Sequence, residues 1–400
     1  MTLHQTTSSD FNNLGIAPEF LNILKQINFT EPTPIQHQSI PAAIEGKDLM
    51  GIAQTGTGKT LAYGLPLLQR LYKTGGMGLI VVPTRELAIQ VDEVLQQLGR
   101  SLGLMTAVLI GGEPMGRQMG PLRRKPNVIV ATPGRLLDHI ERRTVKLDGV
   151  KILILDEADR MFDLGFAPQI DKIFHLVPKE RQTMLFSATM PPQVIKIITS
   201  YMAMPVRIEV APSGTAAERV EQEIFVVRKE EKLLLLEKLL KEHAGTVLVF
   251  SRTKHGATKI CRSIQNMGHK TAEIHSNRSL GQRREALAGF KSGKYRILVA
   301  TDIAARGIDV SGIELVINYD LPDNSEDYVH RIGRTARAGK EGKAVSFATP
   351  DQKRDVRDIE RLIRKEIPVI SHGGVSFSPE RSGVRKFGSR SFRPRNRFRR

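Results

Sequence analysis

The chain of 400 residues has no Trp, a single Cys and few aromatic side chains, which make up 5% of the composition. One Cys excludes an intramolecular disulfide, and we expect Cys261 to be a buried core thiol rather than a nucleophile. No apolar run approaches the roughly 18 residues that span a bilayer, and residues 1–4 lack the basic and apolar stretches of a signal peptide. These absences argue against a secreted or membrane-spanning protein and predict a soluble protein of the cytoplasm.

Positive charge is in excess, since 60 Lys and Arg face 42 Asp and Glu and the formal net charge is +18. Such an excess favours a polyanionic partner, either nucleic acid or an anionic membrane, because neutralising phosphates releases counterions. Part of the excess lies in residues 371–400, which hold eight Arg and one Lys against one Glu. Because residues 367–400 are rich in Gly, Ser and Arg and lose apolar periodicity, we predict that they form a disordered basic tail.

Short β-branched runs, each followed by a polar or Gly-rich tip and an amphipathic segment, repeat along two stretches of the chain. This alternation predicts an α/β fold with mostly parallel sheets, and the nearly continuous hydrophobicity of the runs predicts helices on both faces. The predicted strands of the first stretch are residues 49–52, 79–82, 107–110, 128–130, 152–155, 183–186 and 206–210. Those of the second stretch are residues 246–250, 297–300, 315–318 and 344–347.

The two stretches predict two domains, because a single core rarely grows past roughly 250 to 300 residues. We assign residues 1–208 to the first domain, 209–220 to a linker that contains a Pro, a Ser and a Gly, and 221–366 to the second domain. A Leu-rich amphipathic helix is predicted at residues 231–242, and its Leu cluster is expected to face the core rather than a partner.

A phosphate-binding loop is predicted between the first strand and the helical pattern that follows it. It consists of Ala53, Gln54, Thr55, Gly56, Thr57, Gly58, Lys59 and Thr60. Backbone amides at a helix start cradle phosphates, a Lys at this position reaches the β- and γ-phosphates, and a Thr hydroxyl ligates the bridging Mg²⁺. Ala53 replaces the first Gly of the strict pattern.

An acidic tetrapeptide closes the apolar run 152–155, which places Asp156 at the carboxyl end of a strand, where ligands gather in α/β sheets. Asp156 is therefore predicted to hold Mg²⁺, and Glu157 to be the general base that orients and deprotonates the attacking water. A surface acidic turn is the alternative interpretation of this tetrapeptide taken alone.

The sequence Asp156-Glu157-Ala158-Asp159 resembles the motif that names the DEAD-box RNA helicases, and further motifs of that family follow in the family's order over residues 11–350. The resemblance implies two tandem RecA-like domains and an RNA-dependent ATPase with ATP and Mg²⁺ as cofactors. Phe29 and Gln36 match the Q motif, in which Phe29 would stack on adenine and Gln36 would read its edge. This motif implies ATP rather than GTP.

The resemblance also assigns residues that couple the two domains. Ser187 and Thr189 match the motif that links hydrolysis to duplex opening through hydrogen bonds to the acidic loop. His330 begins an eight-residue motif whose Arg334 and Arg337 would act as arginine fingers across the domain cleft. The remaining assignments are Arg306 as a bridge to the acidic loop and Asp309 as a neighbour of the ribose.

An RNA path of short motifs, most of them directly after predicted strands, is implied in both domains. Its residues are Pro83, Thr84, Arg85, Gly112, Thr132, Gly134 and Arg135 in the first domain and Arg252 and Thr301 in the second. Hydroxyls, backbone amides and Arg suit a sugar–phosphate chain, so we expect sequence-independent binding. The chain departs from the family at Ser276 and at Leu280, where Gly and Gln are common. Leu280 cannot make the polar contact of a Gln, so we expect weaker RNA binding by the second domain or fewer hydrogen bonds between its motifs.

The expected partner is RNA, in ribosomal particles or RNA-decay complexes by analogy with compact bacterial family members, with no membrane or DNA partner expected. The tail, with Phe377, Phe387, Phe392 and Phe398 among its Arg residues, is interpreted as an RNA tether, or alternatively as a solubilising or protein-docking segment. The main hypothesis is local unwinding of short duplexes or remodelling of RNA–protein complexes. An ATP-gated RNA clamp with little strand separation is the alternative, and a DNA translocase is disfavoured.

Overall fold

The computed structural model describes residues 10–54, 56–210, 220–302, 313–336 and 342–377. Two seven-stranded sheets, in which all paired strands are parallel, organise these residues into two α/β units. The strand order is β3-β4-β2-β5-β6-β1-β7 in the first sheet and β10-β11-β9-β12-β13-β8-β14 in the second. The predicted α/β class with parallel sheets is confirmed.

The first unit alternates strands and helices along the chain. Its strands are β1 (Leu49–Ile52), β2 (Met77–Val81), β3 (Thr106–Leu109), β4 (Val128–Ala131), β5 (Val150–Leu155), β6 (Gln182–Ser187) and β7 (Val206–Glu209). Its helices are α1 (Pro18–Gln26), α2 (Pro34–Ile44), α3 (Lys59–Thr74), α4 (Arg85–Gly99), α5 (Met115–Arg123), α6 (Pro133–Glu141), α7 (Ala158–Asp163), α8 (Ala167–Leu176) and α9 (Pro192–Tyr201).

The second unit repeats this alternation. Its strands are β8 (Val220–Val226), β9 (Val247–Phe250), β10 (Thr271–Ile274), β11 (Ile297–Ala300), β12 (Leu315–Asn318), β13 (Gly342–Ala348) and β14 (Val369–Ser371). Its helices are α10 (Lys232–Glu242), α11 (Lys254–Asn266), α12 (Leu280–Lys291), α13 (Ser325–Ile332) and α14 (Lys353–Ile363). No helix in the described ranges is both long enough and apolar enough to cross a bilayer.

Both sheets are covered on two faces, as their apolar strands predict. Central strands such as β4, β9 and β12 are buried at every residue, and each unit has one apolar cluster on either side of its sheet. Cys261 lies in one of these clusters at 4% exposure, and burial raises the pKa of its thiol, so its expected place in the core is confirmed. Four Leu residues of α10 are buried in the same cluster, as expected, namely Leu235, Leu236, Leu239 and Leu240, whereas Leu234 is exposed.

All predicted strands are present with ends that differ by at most two residues, but β8, β10 and β14 were missed. In β8 buried and partly exposed residues alternate, and β10 and β14 form the edges of their sheet, so none is a continuous apolar run. Because Glu209 ends β7 and Val220 begins β8, the ends of the predicted linker 209–220 are strand. Residues 211–219 lie outside the described residues.

The predicted disordered tail is wrong at its beginning. Residues 369–371 form β14, which pairs with β8 through backbone bonds such as Ile224 N to Pro368 O at 2.9 Å and His372 N to Val226 O at 3.1 Å. Phe377 packs against the apolar cluster of the second unit. A strand pairs with an exposed sheet edge through backbone N–H and C=O groups, so its side chains need not show a pattern that predicts the pairing. Residues 378–400 lie outside the described residues.

Candidate active site

The phosphate-binding loop follows β1 and ends in the first turn of α3. Gly58 has φ +89°, a left-handed conformation that favours Gly, and a Cβ at Gly58 would lie 2.3 Å from Gln36 Nε2. Lys59, 6% exposed, donates from Nζ to Ala53 O at 2.8 Å across the loop. The loop is thus held tightly, with the amino end of a sixteen-residue helix behind it. Thr55 lies outside the described residues.

Gln36 links the start of α2 to this loop. Its Oε1 accepts from Thr33 N at 2.9 Å, and its Nε2 donates to Gly58 O at 3.1 Å. Gln36 is 2% exposed, whereas Phe29 is 42% exposed, as a side chain free to stack on a flat ring must be. The structure therefore brings Gln36 against the phosphate-binding loop, and its predicted contact with adenine stays a prediction.

Asp156 lies at the end of the central strand β5, 2% exposed. Its Oδ2 accepts from Tyr63 Oη at 2.8 Å and its Oδ1 from Glu157 N at 2.9 Å. Burial raises the pKa of Asp156 from 3.8 to about 6, although the Lys59 ammonium and the Tyr63 hydrogen bond act in the opposite direction. Tyr63 was missed in the sequence, where its spacing of four residues from Lys59 on one helix face was the available signal.

Glu157 adopts φ 52° and ψ 52°, a left-handed conformation that costs a residue with a side chain roughly 1–2 kcal/mol. Its Oε2 accepts from Arg160 Nη1 at 2.6 Å. Burial alone would raise its pKa, but Arg160, Lys59 and Arg334 outweigh that effect, so the pKa of Glu157 lies below its ordinary value. The carboxylate is therefore charged at neutral pH, as a general base must be.

Asp159 connects the acidic loop to the segment after β6. Its Oδ2 accepts from Ala188 N at 3.1 Å, Thr189 N at 2.8 Å and Thr189 Oγ1 at 2.9 Å, and its own N donates to Ser187 Oγ at 3.1 Å. The predicted hydrogen bonds between these two motifs are thus present. Asp159 takes part in all four of these hydrogen bonds, although the sequence motif alone assigned it no separate role.

Arg334 of the second unit is 3% exposed, and its guanidinium lowers the pKa of Glu157 in the first unit, so the two groups lie within electrostatic range. Its Nε donates to His330 O at 3.2 Å at the end of α13. Arg331 of the same motif is a structural residue, because it is 1% exposed and donates from Nη2 to Asp302 Oδ2 at 2.7 Å. Arg337, Arg306 and Asp309 lie outside the described residues.

Helix α12 docks the second unit onto the first. Arg283 pairs with Glu86 at 3.0 Å, with both side chains about nine-tenths buried, and Arg284 pairs with Glu113 at 3.2 Å. Leu280, one of the two departures from the family pattern, is 6% exposed and belongs to an apolar cluster otherwise built from the first unit. A buried Gln here would need polar partners, whereas Leu contributes to closure by apolar burial.

The predicted RNA-path residues of the first unit meet at the carboxyl ends of β2, β3 and β4. Gly112, at φ +79°, leaves room for Arg85, since a Cβ would lie 2.1 Å from Arg85 Nη1. Arg135 Nη1 donates to Glu113 O at 2.9 Å. Thr84 and Thr132 precede α4 and α6 as their N-cap residues, Pro83 precedes Thr84, and Gly134 is the second residue of α6.

In the second unit, Arg252 and Thr301 follow the neighbouring strands β9 and β11. Arg252 is exposed and pairs with Asp323 at 3.2 Å. Thr301 N donates to Ile274 O at 3.2 Å, which joins the end of β11 to the end of β10. The residues of both RNA-path segments thus occupy the same edge of their respective sheets.

A phosphate-binding loop, an acidic loop and an arginine contributed by a second α/β unit define a two-domain P-loop nucleoside triphosphatase. Two family models match the chain, DEAD/DEAH box helicase over residues 33–198 and Helicase conserved C-terminal domain over residues 231–339. The chain belongs to the DEAD-box family of ATP-dependent RNA helicases.

The chain is 42% identical over 362 residues to the ATP-dependent rRNA helicase RRP3 of Debaryomyces hansenii, which covers 90% of the chain and 76% of the relative. It superposes on S. cerevisiae Dbp5 bound to RNA and ADP BeF3 with a TM-score of 0.82 at 28% identity, over 91% of this chain and 96% of that one. For a Dbp5 variant bound to Nup159, a Gle1 variant, IP6 and ADP, the TM-score is 0.62 at 27% identity, with coverages of 90% and 96%. The expected tandem RecA-like organisation is confirmed.

Proposed function

We propose that this DEAD-box helicase hydrolyses ATP when its two domains close on one RNA strand, and that closure locally separates short duplexes. The observation that carries the proposal is the position of Arg334, which acts on Glu157 from the opposite domain. Hydrolysis then depends on closure, because neither domain holds all the charged groups. The greater similarity to Dbp5 bound to RNA and ADP BeF3 than to Dbp5 bound to Nup159, Gle1, IP6 and ADP supports a closed arrangement.

The roles within the nucleotide site follow from charge and donor type. Lys59 would bind the β- and γ-phosphates with the amides of the phosphate-binding loop, Glu157 would take the proton of the attacking water, and Arg334 would stabilise the developing charge. Gln36 and Phe29 would hold the adenine. The Ser187–Thr189 segment would pass a change of nucleotide state on to the RNA path, because hydrogen bonds from Thr189 to Asp159 join this segment to the acidic loop.

The oxygen donors near Lys59 fit a magnesium ion. Asp156 uses each carboxylate oxygen for one hydrogen bond, which leaves lone pairs for a cation, and the Thr60 hydroxyl follows Lys59 at the start of α3. The described residues contain no group of three or more His, Cys, Asp or Glu that could hold a metal by themselves. That fits Mg²⁺, which takes few protein ligands and several from phosphates and water. When bound, it would neutralise charge on the β- and γ-phosphates.

In this proposal the closed RNA path admits one bent strand but not a duplex, so closure would expel the complementary strand locally. Opening about five stacked pairs costs about 7 kcal/mol at ~1.4 kcal/mol each, which cooperative binding of ATP and RNA would offset. The rRNA helicase RRP3 among the relatives supports ribosomal RNA as a target, and RNA-decay complexes are the alternative. We place the activity in the cytoplasm, where a reduced thiol such as Cys261 persists.

Strand separation is tested with short RNA duplexes, blunt and single-strand-tailed. We expect ATP-dependent release of the labelled strand, and no release by Lys59→Ala, which should bind ATP poorly. ATP-stimulated RNA binding without release in the intact protein would favour the clamp instead. DNA that stimulates ATP hydrolysis as strongly as RNA would contradict the assignment of RNA as the substrate.

The pH dependence of Mg²⁺-supported nucleotide binding should report Asp156. A metal ligand must be deprotonated, so binding is full above the Asp156 pKa of about 6 and declines as the pH falls through it. Tyr63→Phe removes a hydrogen bond that lowers this pKa and should move the decline to higher pH. Nucleotide affinity measured by titration from pH 5 to 8 checks this prediction. The nucleotide itself titrates in the same way with both proteins. Identical pH profiles for wild type and Tyr63→Phe would therefore contradict this prediction.

Leu280→Gln should weaken domain closure, since it replaces apolar burial with an amide that lacks a built partner. A cost of about 1–3 kcal/mol predicts roughly 5- to 160-fold weaker RNA binding in the presence of a non-hydrolysable ATP analogue. Binding without nucleotide should be unchanged, because the open protein does not use this contact. Leu234→Gln is the matched control, because Leu234 is 65% exposed on α10. Equal affinities of wild type and Leu280→Gln would contradict the docking role of α12.

A further inference from the structure

A surface cleft of about 590 Å³ lies in the second domain, outside the nucleotide site and the RNA path described above. One wall is helix α11, and the other is the end of β10 with the residues that follow it. Strand β10 is an edge strand of its sheet, so the cleft is open at the side of the domain. Its lining is polar, with amide, hydroxyl, imidazole and cationic groups.

Two cations of α11 line the cleft without a compensating carboxylate. Lys259 and Arg262 are exposed and three residues apart, so they lie on the same face of the helix, together with His255 and Asn266. Neither forms an ion pair with any described residue. Such a pair of neighbouring cations on one helix face favours an anionic ligand, because each repels the other in its absence.

The single carboxylate that lines the cleft is already neutralised. Glu273 is 7% exposed, forms an ion pair with Arg278 and lies 3.0 Å from His275 Nε2. The same His275 Nε2 is 3.0 Å from Thr258 Oγ1, which fixes the imidazole in the wall of the cleft. Glu273 therefore does not offset the charges of Lys259 and Arg262, and the cleft carries a net positive charge.

The cleft continues the RNA path of the second domain. The path residues Arg252 and Thr301 follow β9 and β11, and the next strand outward in the sheet is β10, whose end leads directly into the cleft. The backbone bond from Thr301 N to Ile274 O joins these two strand ends. An RNA strand that leaves the path over β9 and β11 would meet the cleft next.

We propose that this cleft binds backbone phosphates of the RNA strand beyond the two-domain path, through contacts made by Lys259 and Arg262. The stripe from His255 to Asn266 extends about 16 Å at 1.5 Å per residue, which exceeds one phosphate group and suits a chain. The cleft thereby lengthens the RNA footprint on the second domain and anchors the flanking strand during closure. This inference rests on the proposed RNA path.

The test compares short and extended RNAs bound in the presence of a non-hydrolysable ATP analogue. One RNA has about six nucleotides, within the usual site size, and two others carry the same core extended at either the 5′ or the 3′ end. The intact protein should gain affinity from one of the extensions. Lys259→Glu/Arg262→Glu should bind the short RNA normally, retain its ATP turnover with that RNA, and lose the gain. For binding of the extended RNA, the slope of log affinity against log salt concentration should be shallower in this variant by about 1.4, because two lost phosphate contacts contribute about 0.7 each.

The control variant Lys291→Glu/Lys365→Glu carries the same change of charge at exposed positions away from the cleft. Equal loss in both variants, or an undiminished gain in Lys259→Glu/Arg262→Glu, would overturn the proposal. Competition by inorganic tripolyphosphate without any effect of RNA length would assign the cleft to a free anion and would also overturn it. If the intact protein fails to bind the short RNA in an ATP-dependent manner, the proposed function itself fails. Lys259→Ala/Arg262→Ala, with melting temperature measured, repeats the test with smaller perturbation.

Discussion

Arg334→Ala is expected to lower RNA-stimulated ATP turnover by about 10³- to 10⁵-fold, or about 4–7 kcal/mol at 1.36 kcal/mol per decade. The guanidinium is buried and acts on the Glu157 carboxylate from the second domain. Its contribution to the transition state is therefore made only when the domains are closed. Single-turnover and steady-state hydrolysis with saturating RNA measure the loss, and nucleotide affinity should change little.

Two variants separate this role from a structural one. Arg334→Lys keeps the charge but lacks the planar fork of donors, so it should recover a minor part of the rate. Arg361→Ala, at a 78% exposed side chain in the same domain, should hydrolyse ATP normally. Turnover within a few fold of wild type in Arg334→Ala, with RNA binding intact, is the result that rules out an arginine finger at this position.

Glu157→Gln is expected to lower ATP turnover by about 10²- to 10⁴-fold, the usual contribution of a general base, while ATP and RNA binding persist. The amide has nearly the same shape but cannot accept a proton. The neighbouring cations hold the pKa of Glu157 below its ordinary value, so the lost group is a carboxylate at neutral pH. The variant should accumulate in the closed, ATP-bound and RNA-bound state, which a native gel or anisotropy measurement detects.

Glu141→Gln makes the same substitution at an exposed ion pair with Lys172 and is expected to leave turnover unchanged. Because Gln at position 157 also loses the ion pair with Arg160, the melting temperature of each variant must accompany the kinetics. Full ATP hydrolysis by a folded Glu157→Gln protein would remove Glu157 as the base and leave its strained conformation without a catalytic explanation.

The Asp156–Asp159 motif serves two purposes within four residues. Asp156 and Glu157 face Lys59 and the nucleotide site, whereas Asp159 receives hydrogen bonds from Ala188 and Thr189. A shift of the acidic loop on hydrolysis would displace the segment after β6, because three donors of Ala188 and Thr189 bind the same Asp159 oxygen. These hydrogen bonds join the acidic loop to the segment after β6, and the proposed coupling of hydrolysis to RNA binding rests on this connection.

The phosphate-binding loop, the acidic loop and most of the strands could be predicted because each is encoded by a few adjacent residues. Gly58 and Lys59 follow an apolar run directly, and Asp156 ends another. The edge strand β14 could not be predicted, because its pairing with β8 depends on backbone groups. The burial of Leu280 against the first domain could not be predicted either, because a contact with another domain produces no pattern in the neighbouring sequence.

The sequence by itself determined the two-domain α/β organisation and the family, because these reside in contiguous motifs and in the alternation of apolar runs, and the same motifs supplied the predicted roles at the nucleotide site. The tertiary structure decided which distant groups meet: Tyr63 with Asp156 across 93 residues, Asp159 with Thr189, and Arg283 with Glu86. It placed Arg334 within electrostatic range of Glu157. It also brought the end of β10 beside α11 to form the basic cleft. The physical reason is that strand order and domain docking set the distances between these groups, and no short stretch of sequence determines either of them.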